Sequence, residues 1–272
     1  MTQVKVRLDR AMETSLVTLY GKALDARMTP SILNDHMAVE ALSKIDYDFS
    51  RMKAVNEKVA PNAASRSKHF DDWTREFLAA NPTATVVHLA CGLDTRVWRI
   101  DPGPSVAWFD VDFPDVIDVR RKLFPARPGY QMIASSVTSE AWLSAIPTDR
   151  PVFLLAEGLT MYLSPADGHL LFRRVVDHFG HGTFAFDGHN RYGIWLVNLM
   201  LKRAFGNPML EWAINSRADI DAIDSRLHCV NADSALLAPA SRALPPSTRL
   251  LTRLVKHFPP LRDLGLYLRY TF

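Results

Sequence analysis

The chain has 272 residues, 48% of them hydrophobic, and a formal net charge of +3. That length and apolar content support one large domain with a sizeable core and exclude intrinsic disorder, and so small a charge gives no reason to expect a nucleic-acid partner. Two cysteines, Cys91 and Cys229, make no disulfide framework, the N-terminus lacks a signal-peptide pattern, and no apolar run reaches the ~18 residues of a membrane span, so a reducing cytoplasm is the expected setting.

Residues 1–60 read as helical. Leu16, Leu19, Tyr20 and Ala23 recur at helical spacing over Glu13 to Ala26, and Pro30 ends that segment. Asn34 or Asp35 can cap a second helix running through Ile45, and Ser65 a third through Phe70, Trp73, Phe77 and Leu78. Strand and helix signals then alternate. Strands are predicted at 85–90, 105–111, 130–134, 151–156 and 182–187, with helical or turn segments at 94–100, 114–124, 139–145 and 165–179. Regular alternation argues for βαβ units and a doubly wound, mainly parallel α/β sheet, whose ligands sit beyond the carboxyl ends of the strands. Residues 190–206 read as an amphipathic helix, Leu210 to Ile214 as a further strand, and Leu264 to Phe272 as a terminal strand. Pro and Ser cluster at 239–247, a surface loop. The basic group Arg249, Arg253, Lys256, His257 and Arg262 suits the solvated face of a helix.

Two stretches carry chemistry. In the first, the apolar run at 86–90 breaks at Cys91-Gly92, and the acidic strand end Asp110-Val111-Asp112 follows about twenty residues later. Small residues let a ligand approach the backbone, and an acid accepts hydrogen bonds from ribose hydroxyls. Gly92 stands without the further glycines of a dinucleotide fingerprint, which disfavours an NAD-dependent oxidoreductase. Either Asp110 or Asp112 can serve the ribose, and Asp112 can instead cap the helix opening at Pro114. In the second stretch, Glu157 directly follows the buried run Leu154-Leu155-Ala156, with Gly158 beside it and Tyr162 five residues on. A carboxylate there sits at the ligand edge of the sheet or caps the helix near Ser164, and burying it without a partner would be costly. Taken alone, Arg66 reads as a solvated arginine at a helix start. His178 and His181 straddle a helix end, and no Cys/His spacing suggests a metal site.

Together these pieces resemble the leucine carboxyl methyltransferase family of S-adenosylmethionine-dependent enzymes, in particular its bacterial polyketide O-methyltransferase branch. The resemblance runs through Glu13 to Leu24, Ile45 to Phe49, Arg66 to Asp72, the Gly92-Leu93-Asp94-Thr95-Arg96 loop, Phe109 to Pro114 and Glu157 to Leu163. It implies a seven-stranded, Rossmann-like methyltransferase sheet in a single domain. A helical cap at 1–80, a cofactor-binding core at 81–188 and a lid insertion with the final strands at 189–272 are expected. It also implies S-adenosylmethionine as cofactor. Arg66 would hold the methionine carboxylate, Gly92 would let the backbone approach the methionine moiety, Asp112 would bind the ribose, Glu157 would lie beside the cofactor, and Ala90 would belong to the same cofactor site. Ser136 stands where the family commonly places an aspartate near the adenine, with Val137 following. Arg66 and Tyr162 are the candidate catalytic residues, and Tyr20, Tyr162, Arg191 and Trp195 candidate pocket lining. Lys22 is a candidate for a lysine that some relatives carry in the cap.

The expected substrate is a small-molecule acid or phenol. A carboxylate acceptor is already ionised and needs no base, which fits a site without a triad, so that proximity and alignment do the work. A phenolic acceptor would benefit from a base such as His189. A non-catalytic binding protein built on the cofactor fold is the remaining alternative.

Overall fold

In the computed structural model, residues 4–6, 10–52, 55–57, 59–205, 209–238, 254–255 and 257–272 are described. The N-terminal part is a helical cap. A short strand β1 (Val4–Lys5) pairs in parallel with β2 (Ile45–Asp46), and α1 (Arg10–Asp25) and α2 (His36–Lys44) lie between them. Leu16, Leu19 and Ala23 of α1 are buried with Leu42 and Ile45, so the helical spacing becomes a packed seam. Asp35 caps α2 by accepting the Ala38 N–H at 3.0 Å. The third cap helix, α3 (Ala60–Ala80), starts five residues before the predicted Ser65 cap. Pro61 opens it, since the first turn needs no N–H donor there, and Ser65 is buried inside the helix.

Seven strands form the main sheet: β3 (Thr85–Leu89), β4 (Ala107–Asp112), β5 (Tyr130–Ala134), β6 (Val152–Ala156), β7 (Thr183–His189), β8 (His228–Ser234) and β9 (Gly265–Thr271). Their order is β5-β4-β3-β6-β7-β9-β8, parallel except for β9, which runs antiparallel to both neighbours. The central strands β3 and β6 are buried at every residue, as near-continuous apolar runs in a sheet covered on both faces must be. Between strands lie α4 (Arg96–Ile100), α5 (Pro114–Leu123) and α6 (Pro165–Phe179). One face packs Leu154, Phe172, Phe184, Phe186 and Trp142 together, and the other Phe70, Trp73, Trp108, Phe153 and Tyr267. Winding reverses at β3, with β4 and β5 on one side and β6 and β7 on the other. The crevice therefore opens at the carboxyl ends of β3 and β6.

After β7 come α7 (Arg191–Phe205), α8 (Arg217–Asp221) and, before β9, α9 (Pro259–Arg262). The predicted strand at Leu210 to Ile214 is not one. Leu210, Trp212 and Ile214 are buried in strand-like alternation, but the backbone bonds form no ladder and go to the 3-10 turn after β6 and to the last residue of β7. Glu211 N–H and Trp212 N–H donate to the Met161 carbonyl (2.8 and 3.4 Å) and Ile214 N–H to the His189 carbonyl (2.8 Å). Trp212 packs on α6 at Gly168, where any side chain would collide with its ring. Strand β8, unforeseen in the sequence, is a sheet edge with a half-exposed, polar sequence. The segment predicted as helix or turn at 139–145 is turn, with a 3-10 stretch at Leu143–Ala145. The Pro/Ser cluster and Arg249, Arg253 and Lys256 lie outside the described residues. Among the described residues, no helix is long and apolar enough to cross a membrane.

Candidate active site

A cavity of about 510 Å³ occupies this crevice. Its walls come from the ends of β3, β4, β6 and β7, from Lys22 and its neighbours on α1, and from Arg66 on α3. The turn after β3 is shaped for close approach. Ala90 and Gly92 both take left-handed φ values, 49° and 51°. A Cβ on Gly92 would come within 2.9 Å of Ser15 Oγ. Ala90 pays about 1 kcal/mol for that conformation, which the surrounding bonds must offset. Buried Arg120 supplies them from α5, donating from Nη1 to the carbonyls of Gly92 and Asp94, both at 2.8 Å.

The two acids of β4 have separate tasks. Asp110 is fully engaged by Arg120, by the Tyr130 hydroxyl (2.6 Å) and by Trp108 Nε1 (2.9 Å). Asp112 lines the cavity. Its Oδ2 accepts the Gly92 N–H and its Oδ1 the Phe113 N–H, each at 2.7 Å. A carboxylate has about four lone-pair sites, so half remain for a ligand. Phe113, not Asp112, holds the cap position of α5. Burial raises the Asp112 pKa above the usual carboxylate value, against the lowering effect of these two amides.

Glu157 likewise caps nothing, since Ser164 caps α6 through the Asp167 N–H at 3.1 Å. Glu157 accepts from Arg66 Nε (3.0 Å), Ser67 Oγ (2.8 Å) and Arg96 Nη2 (2.5 Å). Burial pushes its pKa up, but Lys22, Arg96 and Arg66 outweigh burial and hold it far below the ordinary range. Arg66 is thus no solvated arginine. It also donates from Nη1 to Asp187 at 3.2 Å, while its Nη2 has no protein partner among the described residues.

Behind the cavity wall the ion pairs continue. Lys22 meets Asp94 at 2.9 Å, Asp94 meets Arg96 and Arg99 at 3.1 Å, and both arginines meet Asp71 at 2.7 Å. Arg99 reaches Asp35, which also accepts from Thr95 Oγ1. The Asp94-Thr95-Arg96 part of the loop therefore ties the cap to the core. At the far end of the cavity stand Met161, Tyr162, His189, Val197, Leu210 and Glu211. His189 Nδ1 lies 2.9 Å from the Leu264 carbonyl.

Of the residues singled out in the sequence, Arg66, Ala90, Gly92, Asp112, Glu157 and Tyr162 line this cavity, together with Lys22 and His189. Five others do not. Tyr20 packs on Phe49 inside the cap, ring centroids 5.2 Å apart. Arg191 folds over Tyr192, and Trp195 is 66% exposed on the outer face of α7. The helix phase turns Val197, not Trp195, inward. Ser136 Oγ is paired with Thr138 Oγ1 at 2.8 Å, and Val137 is buried in the sheet core with its carbonyl accepting from Trp142 Nε1. Asp187 was missed. It closes the apolar run Phe184-Ala185-Phe186 as Glu157 closes its own, and that repeated signal was available in the sequence. Cys91 is a buried filler whose thiol pKa burial raises well above normal.

A seven-stranded sheet with one antiparallel strand, a glycine turn and a ribose-type acid defines the nucleoside-dependent methyltransferase class. The fold agrees. A candidate methyltransferase from Thermobifida fusca superposes with TM-score 0.57 at 16% identity, covering 92% of this chain and 93% of that one. Magnesium protoporphyrin IX methyltransferase from Synechocystis, solved with bound S-adenosylhomocysteine, gives 0.50 at 10% identity, covering 82% and 93%.

Residues 10–176 match the leucine carboxyl methyltransferase family model, and the chain belongs to that family. It is 39% identical over 268 residues to the tetracenomycin polyketide synthesis O-methyltransferase of Streptomyces glaucescens, covering 98% of both chains. It is 35% identical over 217 residues to an S-adenosyl-L-methionine-dependent methyltransferase of Gibberella zeae, covering 73% of both. The protein is an S-adenosylmethionine-dependent O-methyltransferase.

Proposed function

We propose that the enzyme methylates a carboxylate on a small aromatic or polyketide-like acid. The observation that carries this reading is the division of the cavity into two unlike ends. Ordered charged groups suited to a nucleoside amino acid lie at one end, and at the other the apolar Met161, Val197, Met209 and Leu210 stand beside Tyr162, His189 and Glu211. The residues fit the cofactor. Asp112 keeps lone pairs for ribose hydroxyls, Gly92 borders the cavity without a side chain, and the Nη2 of Arg66, unpartnered among the described residues, suits a carboxylate. The cofactor, when bound, supplies an electrophilic methyl group on a sulfonium.

The protein's part is to orient and to exclude water. Met161, Val197 and Leu210 give a flat ligand an apolar surface, and Tyr162 offers a hydroxyl to position an oxygen. Burial raises the Tyr162 pKa, so that hydroxyl keeps its proton and acts as a donor. No base is required for an acceptor that is already ionised. The similarity to a polyketide O-methyltransferase over nearly the whole chain supports this substrate class.

A hydroxyl acceptor is the second reading, favoured by His189. A carbonyl only accepts, so the contact with Leu264 places the ring hydrogen on Nδ1. In the neutral ring this leaves the lone pair on Nε2, ready to take a phenolic proton. Mass spectrometry of products from a panel of aromatic acids and phenols tests the two. An alkali-labile methyl ester is expected, and an alkali-stable ether would replace the carboxylate reading with the hydroxyl one.

A further inference from the structure

One buried acid beside the cavity has no task in the scheme above. Asp187 is 4% exposed and sits near the end of β7, next to the turn that follows β6. Its Oδ1 accepts the Gly158 N–H at 2.6 Å, its Oδ2 accepts from Arg66 Nη1 at 3.2 Å, and its own carbonyl accepts from the Thr160 hydroxyl. Each of these three bonds therefore points toward the β6 turn or Arg66. Glu157 already has Arg96 at 2.5 Å, whereas the only ion pair of Asp187 among the described residues is with Arg66.

We propose that Asp187 is a positioning residue: with Glu157 it forms a two-carboxylate fork that fixes the Arg66 guanidinium and leaves the Nη2 edge for the methionine carboxylate of the cofactor. The geometry of the guanidinium requires two such holders. It has five N–H donors in one plane. Glu157 takes Nε and Asp187 takes one hydrogen of Nη1, which fixes both the plane and the rotation of the group within it. With Glu157 alone, the side chain can swing about that single bond. Gly158 borders the arrangement: its φ of 72° is one that side chains rarely adopt, and a Cβ there would touch both Nη1 and Nη2 at 3.5 Å. Burial favours the neutral form of the Asp187 carboxyl, so an isosteric neutral side chain is compatible with folding.

The inference rests on Arg66 meeting the methionine carboxylate, and the experiment separates the two statements. Binding is measured calorimetrically on the full chain with S-adenosylhomocysteine and with 5′-methylthioadenosine, which keeps the adenine, ribose and thioether but lacks the amino-acid end. In Asp187→Asn, either the Arg66 contact or the Gly158 contact is lost. About a tenfold weaker affinity for S-adenosylhomocysteine is expected, with methylthioadenosine binding held within about twofold. A purely structural role would weaken both ligands alike, and that result, or no change in either, overturns the proposal. Should the asparagine variant fail to fold, Asp187→Ser, whose side chain is one atom too short to reach Arg66 and sets no amide donor against the Gly158 N–H, is measured in the same way. Arg66→Lys is the parallel arm. If it shifts the ratio of the two affinities and Asp187→Asn does not, the fork alone is wrong. If neither variant shifts the ratio, the Arg66 assignment falls and the fork with it.

Discussion

The two ends of the cavity are built by opposite means. On the cap side, Lys22, Arg96, Arg99 and Arg66 interlock with Asp35, Asp71, Asp94, Glu157 and Asp187 in a buried lattice of ion pairs. On the α7 side, the helix carries an exposed apolar face, including Trp195 and Met200, and a polar side chain ties it to Met209 and Leu210. Asn198 accepts the Met209 and Leu210 N–H groups, both at 2.9 Å, and donates to the Leu210 carbonyl at 2.8 Å. The difference matches what the proposed function asks of each end. A cofactor common to many enzymes suits charges fixed in place, because partnered buried ions have few alternative arrangements. An acceptor that differs between relatives suits apolar surface, which re-shapes at low cost.

The comparison breaks most visibly at Arg96. Arg96→Met leaves Asp71, Asp94 and Glu157 short of a fully buried partner, so a loss of about 3–5 kcal/mol is expected in urea unfolding. A loss under 1 kcal/mol would show that the lattice is not what holds the cap on.

Asp112→Ala comes next, with S-adenosylhomocysteine binding weakened by about 1–3 kcal/mol while the fold persists. The same residue predicts a pH signature. Its pKa is raised by burial, so the affinity of the unchanged protein falls on acidification at a pH above the ordinary carboxylate range. The sign for stability is opposite. The neutral form is favoured in the folded state, so its contribution is full below the unfolded pKa and lost as pH rises through the folded one. Calorimetric titration and thermal melts across the acidic range check both slopes.

Asn198→Leu sharpens the contrast on the α7 side. It removes three bonds to the wall, with about 1–2 kcal/mol lost and faster hydrogen exchange at Met209 and Leu210. Cofactor affinity should not move. The smallest effect is expected at Trp195→Ser, within about 0.5 kcal/mol in stability and without change in methyl transfer, because the ring faces away from the cavity. A drop in turnover there would return Trp195 to the substrate site.

The cofactor half was legible because its signals are local. An apolar run ending in Glu157, a glycine turn after β3 and an acid at the end of β4 announce themselves in short windows. What each charge pairs with was not legible, since Lys22 and Asp94, or Arg66 and Asp187, meet only once the sheet is assembled. Asp110 and Asp112 could not be told apart from spacing alone, and Arg120, ten residues on, decides between them. The chain after β7 misled for a different reason. Leu210, Trp212 and Ile214 alternate as a strand does, yet their bonds to Met161 and His189 form no ladder, and the polar β8 had no apolar pattern to betray it.

The place of β9 bears on how the protein comes to be made. It is synthesised after β8 but lies between β7 and β8, so a growing chain holds β7 with an open edge while β8 waits without a neighbour. The Leu264 carbonyl that orients His189 arrives with this same strand. Folding on the ribosome therefore leaves the side of the crevice under β3, β4 and β6 able to form early, whereas the side that holds His189 is set last, and the interval exposes a sheet edge that a chaperone would have to shield.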